Sequence, residues 1–148
     1  MKRITRENYL GLLPSEESNG KYFAFYTSIW DGITTDPALM TVPIDDHVVH
    51  RGDGVFESAI CVKGRVFNFD AHLARLYRCA EAIGMTLPWS KDEIKAISEA
   101  VIEAGKHPDC TLRIIASRGP GSLSAAPGDC STPALYVVAY AHGASFME

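Results

Sequence analysis

The sequence predicts an α+β fold with a mainly antiparallel sheet and two helices. The chain has 148 residues, which suits one domain. Two amphipathic helical patterns lie at residues 70–84 and 90–105. The strand-like segments around them are joined by turns of the hairpin type rather than by strict alternation of strands and helices, which favours antiparallel pairing.

The first half of the chain contains three predicted strands. Aromatic and small residues alternate in KYFAFYTSIWDG, residues 21–32, as in a half-buried strand. Residues 34–47 carry two prolines and are predicted to be irregular. The second strand is predicted at residues 55–62. Lys63 and Gly64 then fit a two-residue hairpin turn into the third, RVFNF, residues 65–69.

Both predicted helices carry recognisable end signals. Asp70 is placed to cap the start of the first helix, and Gly84 is placed to end it. Ser90 and Glu93 match the capping-box pattern at the start of the second, which continues to Gly105. The apolar residues at helical spacing are Leu73, Leu76, Ala80 and Ile83 in the first helix and Ile94, Ile97, Val101 and Ile102 in the second.

Two more strands are predicted in TLRIIAS, residues 111–117, and ALYVVAYA, residues 134–141. Residues 118–133 between them are rich in Gly, Pro and Ser, and a loop of this length is often functional. Residues 1–20 are predicted to be an extension that ends in the polar loop LPSEESNG. Residues 21–148 then form the domain.

Composition and charge exclude several classes of function. A net charge of -4 without a basic run disfavours nucleic acid as a partner. No stretch approaches the roughly 20 apolar residues of a membrane span, and the N-terminus lacks the apolar region of a targeting segment. Because the four cysteines include no C-x-x-C pair, reduced thiols in a cytoplasmic protein are expected. These are Cys61, Cys79, Cys110 and Cys130.

Arg75 is the first candidate functional residue. It shares a helical face with His72, Leu76 and Cys79, so its stem lies at the margin of the apolar stripe. An unpaired charge is very costly to bury, and the guanidinium therefore needs water or a partner. One interpretation is an arginine that reaches solvent or pairs with an acid such as Glu81 or Asp70. The other is a fixed clamp for an anion or a phosphate.

The segment DDHVVHRGDG gathers acids and histidines without a recognisable metal-ligand spacing. Turn chemistry before a strand is the favoured interpretation, and no metal is expected. Gly52 and Gly54 lack the third glycine of a dinucleotide-binding fingerprint. The titratable residues of the segment are Asp45, Asp46, His47, His50 and Asp53.

The motifs GDGVFES and HLARL together resemble the N-terminal domain of fold-type IV pyridoxal-phosphate enzymes, and the resemblance covers residues 44–119. The family contains branched-chain aminotransferases, D-amino-acid aminotransferases and aminodeoxychorismate lyases. In it, the arginine of the H-x-x-R-L motif holds the phosphate of the cofactor. The resemblance therefore implies that Arg75 is a phosphate clamp for pyridoxal 5'-phosphate.

The same resemblance assigns four residues to the substrate. Phe56 corresponds to an aromatic wall of the substrate pocket, and Ile60 follows on the same face of the strand, with Ser58 between them. Arg51 precedes the GDG motif where many relatives carry an aromatic residue, which makes it a candidate for specificity. Arg113, which by itself could also be an edge arginine facing solvent, aligns with an arginine that some members use toward substrate carboxylates.

The family's cofactor is bound covalently by a lysine of a C-terminal domain, so the catalytic residue is expected outside this chain. None of the lysines here stands in a matching context; they are Lys2, Lys21, Lys63, Lys91, Lys95 and Lys106. The resemblance implies the small domain of an amino acid aminotransferase, inactive by itself, with an amino acid or keto acid substrate and a homo-oligomeric state. The alternatives are an aminodeoxychorismate lyase and a non-catalytic binding or assembly module.

Overall fold

A six-stranded antiparallel sheet is the framework of the protein in a computed structural model that describes residues 1–13 and 20–142. The strand order is β2-β1-β6-β5-β3-β4, and every neighbouring pair is antiparallel, as predicted. The strands are β1 (Tyr22–Thr27), β2 (Gly32–Thr34), β3 (Gly54–Val62), β4 (Arg65–Val66), β5 (Cys110–Ser117) and β6 (Ala134–Tyr140).

Two long helices cover one face of this sheet. The helices are α1 (Arg6–Tyr9), α2 (His47–Arg51), α3 (Phe69–Ala82) and α4 (Lys91–Gly105). Helix α3 packs on β3, while α4 packs on β1 and β6. The main core lies between helices and sheet, where Leu73, Ile94 and Leu112 are fully buried. The opposite face carries a smaller cluster around Phe25 and Tyr136 and is otherwise more exposed.

The ends of the long helices confirm the Ser90 capping box and correct the cap of α3. Asp70 is not the cap: Asn68 occupies that position, with a positive φ of 49° and no side-chain cap hydrogen bond. Asp70 lies in the first turn, where a carboxylate is favourable, and pairs with Lys95 of α4 at 2.5 Å. Gly84 follows α3 with a φ of +65°, as predicted for a glycine that ends a helix.

The turns explain where the strand predictions were right and where they were too coarse. Lys63 and Gly64 both have positive φ, which is the conformation of a type I′ hairpin turn, as predicted. The single strand expected at residues 21–32 is instead the hairpin β1–β2. Its turn includes Asp31, whose carboxylate accepts a hydrogen bond from the Tyr26 hydroxyl at 2.9 Å.

The segments predicted to be irregular contain short elements that the sequence pattern did not reveal. The range 34–47 includes the 3-10 turn Pro37–Leu39 and the first residue of α2, while the loop 118–133 includes the 3-10 turn Pro127–Asp129. Residues 14–19 of the expected N-terminal loop lie outside the described residues. Among the described helices, none combines the length and the apolar character needed to cross a membrane.

Candidate functional site

Arg75 of α3 is held by Glu57, which projects from β3 toward the helix. The Nε atom of Arg75 lies 2.5 Å from Oε1 of Glu57, and Nη2 lies 2.6 Å from Oε2. The Glu57 side chain is 2% exposed, whereas the Arg75 side chain is 58% exposed. The partner is thus neither Glu81 nor Asp70, the acids proposed from the sequence, because α3 packs across the inner face of β3.

His72 completes the contacts of the Glu57 carboxylate. Its Nδ1 lies 2.8 Å from Oε2. The hydrogen bond from Arg75 holds the pKa of Glu57 below its ordinary value of 4.5; burial opposes this shift and the contact with His72 adds to it. Glu57 is therefore ionised at neutral pH, and the same hydrogen bond raises the pKa of Arg75.

A shallow hollow of about 240 Å³ lies beside this pair. A guanidinium carries five N–H donors, and Glu57 accepts two of them, so three remain for a ligand on the exposed side of Arg75. Arg78 lines the same hollow, which adds a second positive charge. This donor set fits an oxyanion such as a phosphate group. The lining residues are Asn68, Ala71, His72, Arg75 and Arg78.

The opposite face of β3 carries the residues that the sequence assigned to a substrate pocket. Phe56 and Ile60 are 62% and 56% exposed, and Ser58 lies between them, in the alternation that the sequence predicts. Arg113 pairs with Ser58 in the register of β3 and β5. Its guanidinium carbon lies 5.1 Å from the ring centroid of Phe56 and 5.8 Å from that of Tyr140.

Arg113 is therefore not an edge arginine facing solvent, because β5 lies between β3 and β6 and the side chain is half-buried. Its Nε has no hydrogen-bond partner among the described residues. The structure brings Phe56, Ile60 and Arg113 to one face of the sheet. Arg75 instead contacts β3 from the helix side, so the five predicted residues do not form one cluster.

Arg51 is the last residue of α2, just before the GDG turn, and is exposed. Gly52 ends α2 with a φ of +65°. Gly54 lies against β5 so closely that a Cβ there would be 2.8 Å from the carbonyl oxygen of Ala116. Both glycines thus have a backbone role in turning the chain from α2 into β3.

Among the acids and histidines before this turn, Asp46 has a structural role. Asp46 is fully buried and caps α2 by accepting from the Val48 N–H at 2.9 Å. Its carboxylate also accepts from the hydroxyls of Tyr136, at 2.5 Å, and Ser117. His47 is fully buried, and neither ring nitrogen has a hydrogen-bond partner within the described part of the chain. No three metal-binding side chains among the residues that the structure describes are grouped to hold an ion.

Glu57 is the residue that sequence reasoning missed. One signal was available: an acid stands between Val55 and Ala59 on the inner face of a predicted strand. A buried carboxylate at such a position requires a charged partner. The identity of that partner depends on the angle at which α3 crosses β3. The sequence pattern does not predict this crossing angle.

Comparisons with known proteins agree on one family. The family model for amino-transferase class IV matches residues 54–148. A D-amino-acid transaminase, chloroplastic, of Arabidopsis thaliana is 41% identical over 118 residues, which is 80% of this chain and 32% of that protein. A D-alanine aminotransferase of Bacillus licheniformis is 31% identical over 91 residues, 62% of this chain and 32% of that protein.

Solved structures show the same fold. A T.th. branched-chain amino acid aminotransferase with pyridoxamine 5'-phosphate superimposes with a TM-score of 0.74 at 20% identity, covering 86% of this chain and 42% of that one. A 4-amino-4-deoxychorismate lyase from Pseudomonas aeruginosa gives a TM-score of 0.62 at 21% identity, with coverages of 82% and 41%. The chain spans about a third of the length of the curated relatives it matches.

Proposed function

The chain belongs to the class IV aminotransferases, and on that premise we propose that it is the N-terminal domain of a pyridoxal-phosphate-dependent aminotransferase acting on amino acids. The D-amino-acid or branched-chain type is proposed, in line with the names of its relatives. In this proposal residues 21–148 form the domain and residues 1–20 are an extension. The lysine that binds the cofactor is supplied from outside these residues.

One observation carries the proposal: Arg75 has three N–H donors without a partner among the described residues, and they lie beside a hollow that Arg78 also lines. A phosphate group carries close to two negative charges at neutral pH, and guanidinium groups bind it with paired hydrogen bonds. When bound, pyridoxal phosphate would supply the electron sink that stabilises a carbanion of the amino acid. Arg75 would anchor the phosphate and fix the cofactor's position.

Phe56, Ile60 and Arg113 are proposed to contact the substrate from the exposed face of the sheet. Phe56 and Ile60 offer apolar surface to a side chain. Arg113 offers a guanidinium to a carboxylate, and its buried Nε lacks a partner among the described residues. Arg51 is proposed as a specificity residue, since an arginine there adds a positive charge at a position where many relatives have an aromatic ring.

The test of the clamp uses the protein that contains both these residues and the lysine-bearing region. Arg75→Ala is expected to weaken binding of pyridoxal phosphate by about tenfold to a hundredfold, the range for losing a charge-assisted hydrogen bond. Arg65→Ala, at an exposed arginine of β4, is the matched control. Unchanged affinity in Arg75→Ala would contradict the assignment.

Two other functions of the same fold are separated by product analysis. An aminotransferase converts a keto acid into an amino acid, whereas aminodeoxychorismate lyase releases pyruvate from its substrate. Assay of both products on the same preparation decides between them. If a protein that binds the cofactor forms neither product, the result would favour a non-catalytic module.

We also propose a homo-oligomer in the cytoplasm. Self-association is supported by exposed apolar side chains on and beside β3, at Phe56, Ile60, Val62 and Phe67. The four cysteines are free in the structure, which fits a reducing compartment. Because the Arabidopsis relative is named as chloroplastic, fractionation of source cells must test the plastid as well. Analytical ultracentrifugation tests the oligomer.

A further inference from the structure

We propose that Glu57 is the positioning residue of the anion site and that it fixes the Arg75 guanidinium with its unused donors facing the hollow. This inference rests on the proposed function of Arg75 as a phosphate clamp. Glu57 itself is 2% exposed and lies beneath the helix, so it would not contact the phosphate. Its effect would be transmitted entirely through the orientation of Arg75.

The geometry of the pair determines which donors are free. Glu57 accepts from Nε and from Nη2 of Arg75, which are on one edge of the planar guanidinium. Both hydrogens of Nη1 and the second hydrogen of Nη2 therefore face away from the carboxylate. An arginine without such a partner samples many rotamers, and ordering it on binding would reduce the affinity for the anion.

Glu57 is a rigid anchor because of its place in the sheet. It lies in the middle of β3 and pairs in register with Ile114 of β5. The rest of the inner face of β3 is apolar, with Ala59 and Cys61 buried beside the helices. Apolar residues can often replace a buried ion pair without loss of stability. The presence of an acid at this position is therefore explained by its contact with the Arg75 guanidinium rather than by packing of the core.

Two effects of Glu57 on anion binding have opposite signs, which makes the inference testable. Its negative charge repels a phosphate, so removing that charge alone would strengthen phosphate binding. Its two hydrogen bonds orient Arg75, so removing them would weaken phosphate binding. We expect orientation to dominate, because the positive charge of Arg75 already compensates the charge of Glu57 in the folded protein.

The experiment titrates the 148-residue chain with inorganic phosphate and follows the arginine Nε–H signals by nuclear magnetic resonance. In the wild type, the Arg75 Nε–H is expected to be protected by its bond to Glu57. In Glu57→Gln that protection should decrease, because the amide keeps one acceptor oxygen instead of two, and the dissociation constant for phosphate should rise about tenfold. The control is Asp53→Asn, which weakens another Arg–carboxylate pair, with Arg118 at 2.6 Å, and should leave phosphate affinity unchanged.

Arg75→Met separates failure of this inference from failure of the proposed function. If Arg75→Met binds phosphate as the wild type does, or if the wild type binds none, the clamp and the positioning role are both wrong. If Arg75→Met weakens binding but Glu57→Gln leaves it unchanged or strengthens it, only the positioning role is wrong. The expected result is a loss in Glu57→Gln no larger than that in Arg75→Met, with no further loss in the double variant compared with Arg75→Met alone.

A second variant covers the case in which Glu57→Gln does not fold. Arg75→Lys keeps the positive charge, but an ammonium cannot bind both Glu57 oxygens side-on while presenting further donors in a fixed plane. It is expected to bind phosphate as weakly as Arg75→Met. Wild-type affinity in Arg75→Lys would show that charge alone suffices and would overturn the positioning role.

Discussion

Arg113 of β5 lies over the ring of Phe56 of β3, with 5.1 Å between its guanidinium carbon and the ring centroid. The contact joins two neighbouring strands on the face of the sheet that the long helices leave open. It also keeps a cation beside exposed apolar surface, which is the pairing that recognition of an amino acid requires: a cation for the carboxylate and an apolar wall for the side chain. The first prediction concerns this arginine.

If Arg113 binds the substrate carboxylate as proposed, Arg113→Gln should raise the KM for the amino acid about tenfold with a smaller effect on kcat, because the charge-assisted contact would be lost. The measurement is steady-state kinetics on protein that contains the lysine-bearing region. Arg65→Gln serves as the control, since Arg65 is an exposed arginine of the edge strand β4. Equal kinetic constants for the wild type and Arg113→Gln would show that Arg113 does not bind the substrate.

The buried carboxylate of Asp46 predicts a large effect on stability. Asp46→Ala leaves the hydroxyls of Tyr136 and Ser117 and the cap of α2 without their acceptor. The free energy of unfolding should fall by about 3 kcal/mol, the scale of stranding buried polar groups. Urea denaturation of Asp46→Ala measures this change in the free energy of unfolding, with Asp45→Ala as the control. Asp45→Ala should change the free energy of unfolding by less than about 0.5 kcal/mol.

The next prediction concerns the close packing of Gly54 against the backbone of β5. A Cβ at this position would lie 2.8 Å from the carbonyl oxygen of Ala116, a backbone atom that cannot turn aside. Gly54→Ala should therefore separate β3 from β5 locally and destabilise the fold by about 1–3 kcal/mol, as overpacking does. Gly128→Ala is the matched control, because a Cβ there would meet no atom within 4 Å. Thermal melts of the two variants should differ clearly.

The pKa of Glu57 predicts how stability depends on pH. Its pKa is lowered in the folded state from an ordinary value of 4.5, chiefly by the hydrogen bond from Arg75. The stability it contributes is therefore fully present above about pH 4.5 and is lost as pH falls below that value through the folded pKa. Unfolding free energies measured from neutral to strongly acidic pH should fall less steeply on acidification in Glu57→Gln than in the wild type. Parallel curves would contradict this.

The sequence alone predicts the elements whose signals are local. The strand predicted at residues 111–117 and the capping box of Ser90 depend on neighbours in the chain, and the structure confirms both. Helix α2 was missed, because a helix of five residues is too short to show a period. The cap of α3 was misassigned since Asp70 and Asn68 both suit a cap by residue type.

The candidate site depends on contacts between distant residues. Arg75 and Glu57 are 18 positions apart, and Asp46 and Tyr136 are 90 apart. Such pairs follow from how helices cross the sheet and how strands register, which periodicity does not encode. The motif HLARL could direct attention to Arg75 through its resemblance to a family. It could not identify the carboxylate that orients the guanidinium.

The last prediction concerns how the 148-residue chain by itself binds pyridoxal phosphate, and it follows from the positions of its lysines. The lining of the hollow beside Arg75 contains no lysine among the described residues. Lys95 is paired with Asp70, while Lys63 and Lys106 lie at turns with positive φ. A cofactor anchored by its phosphate at Arg75 would therefore find no amine in the hollow. We expect weak, reversible binding, no transamination, and less than stoichiometric labelling after borohydride reduction with pyridoxal phosphate, read by mass spectrometry. Stoichiometric labelling of one lysine together with turnover of an amino acid would show instead that these residues suffice for catalysis.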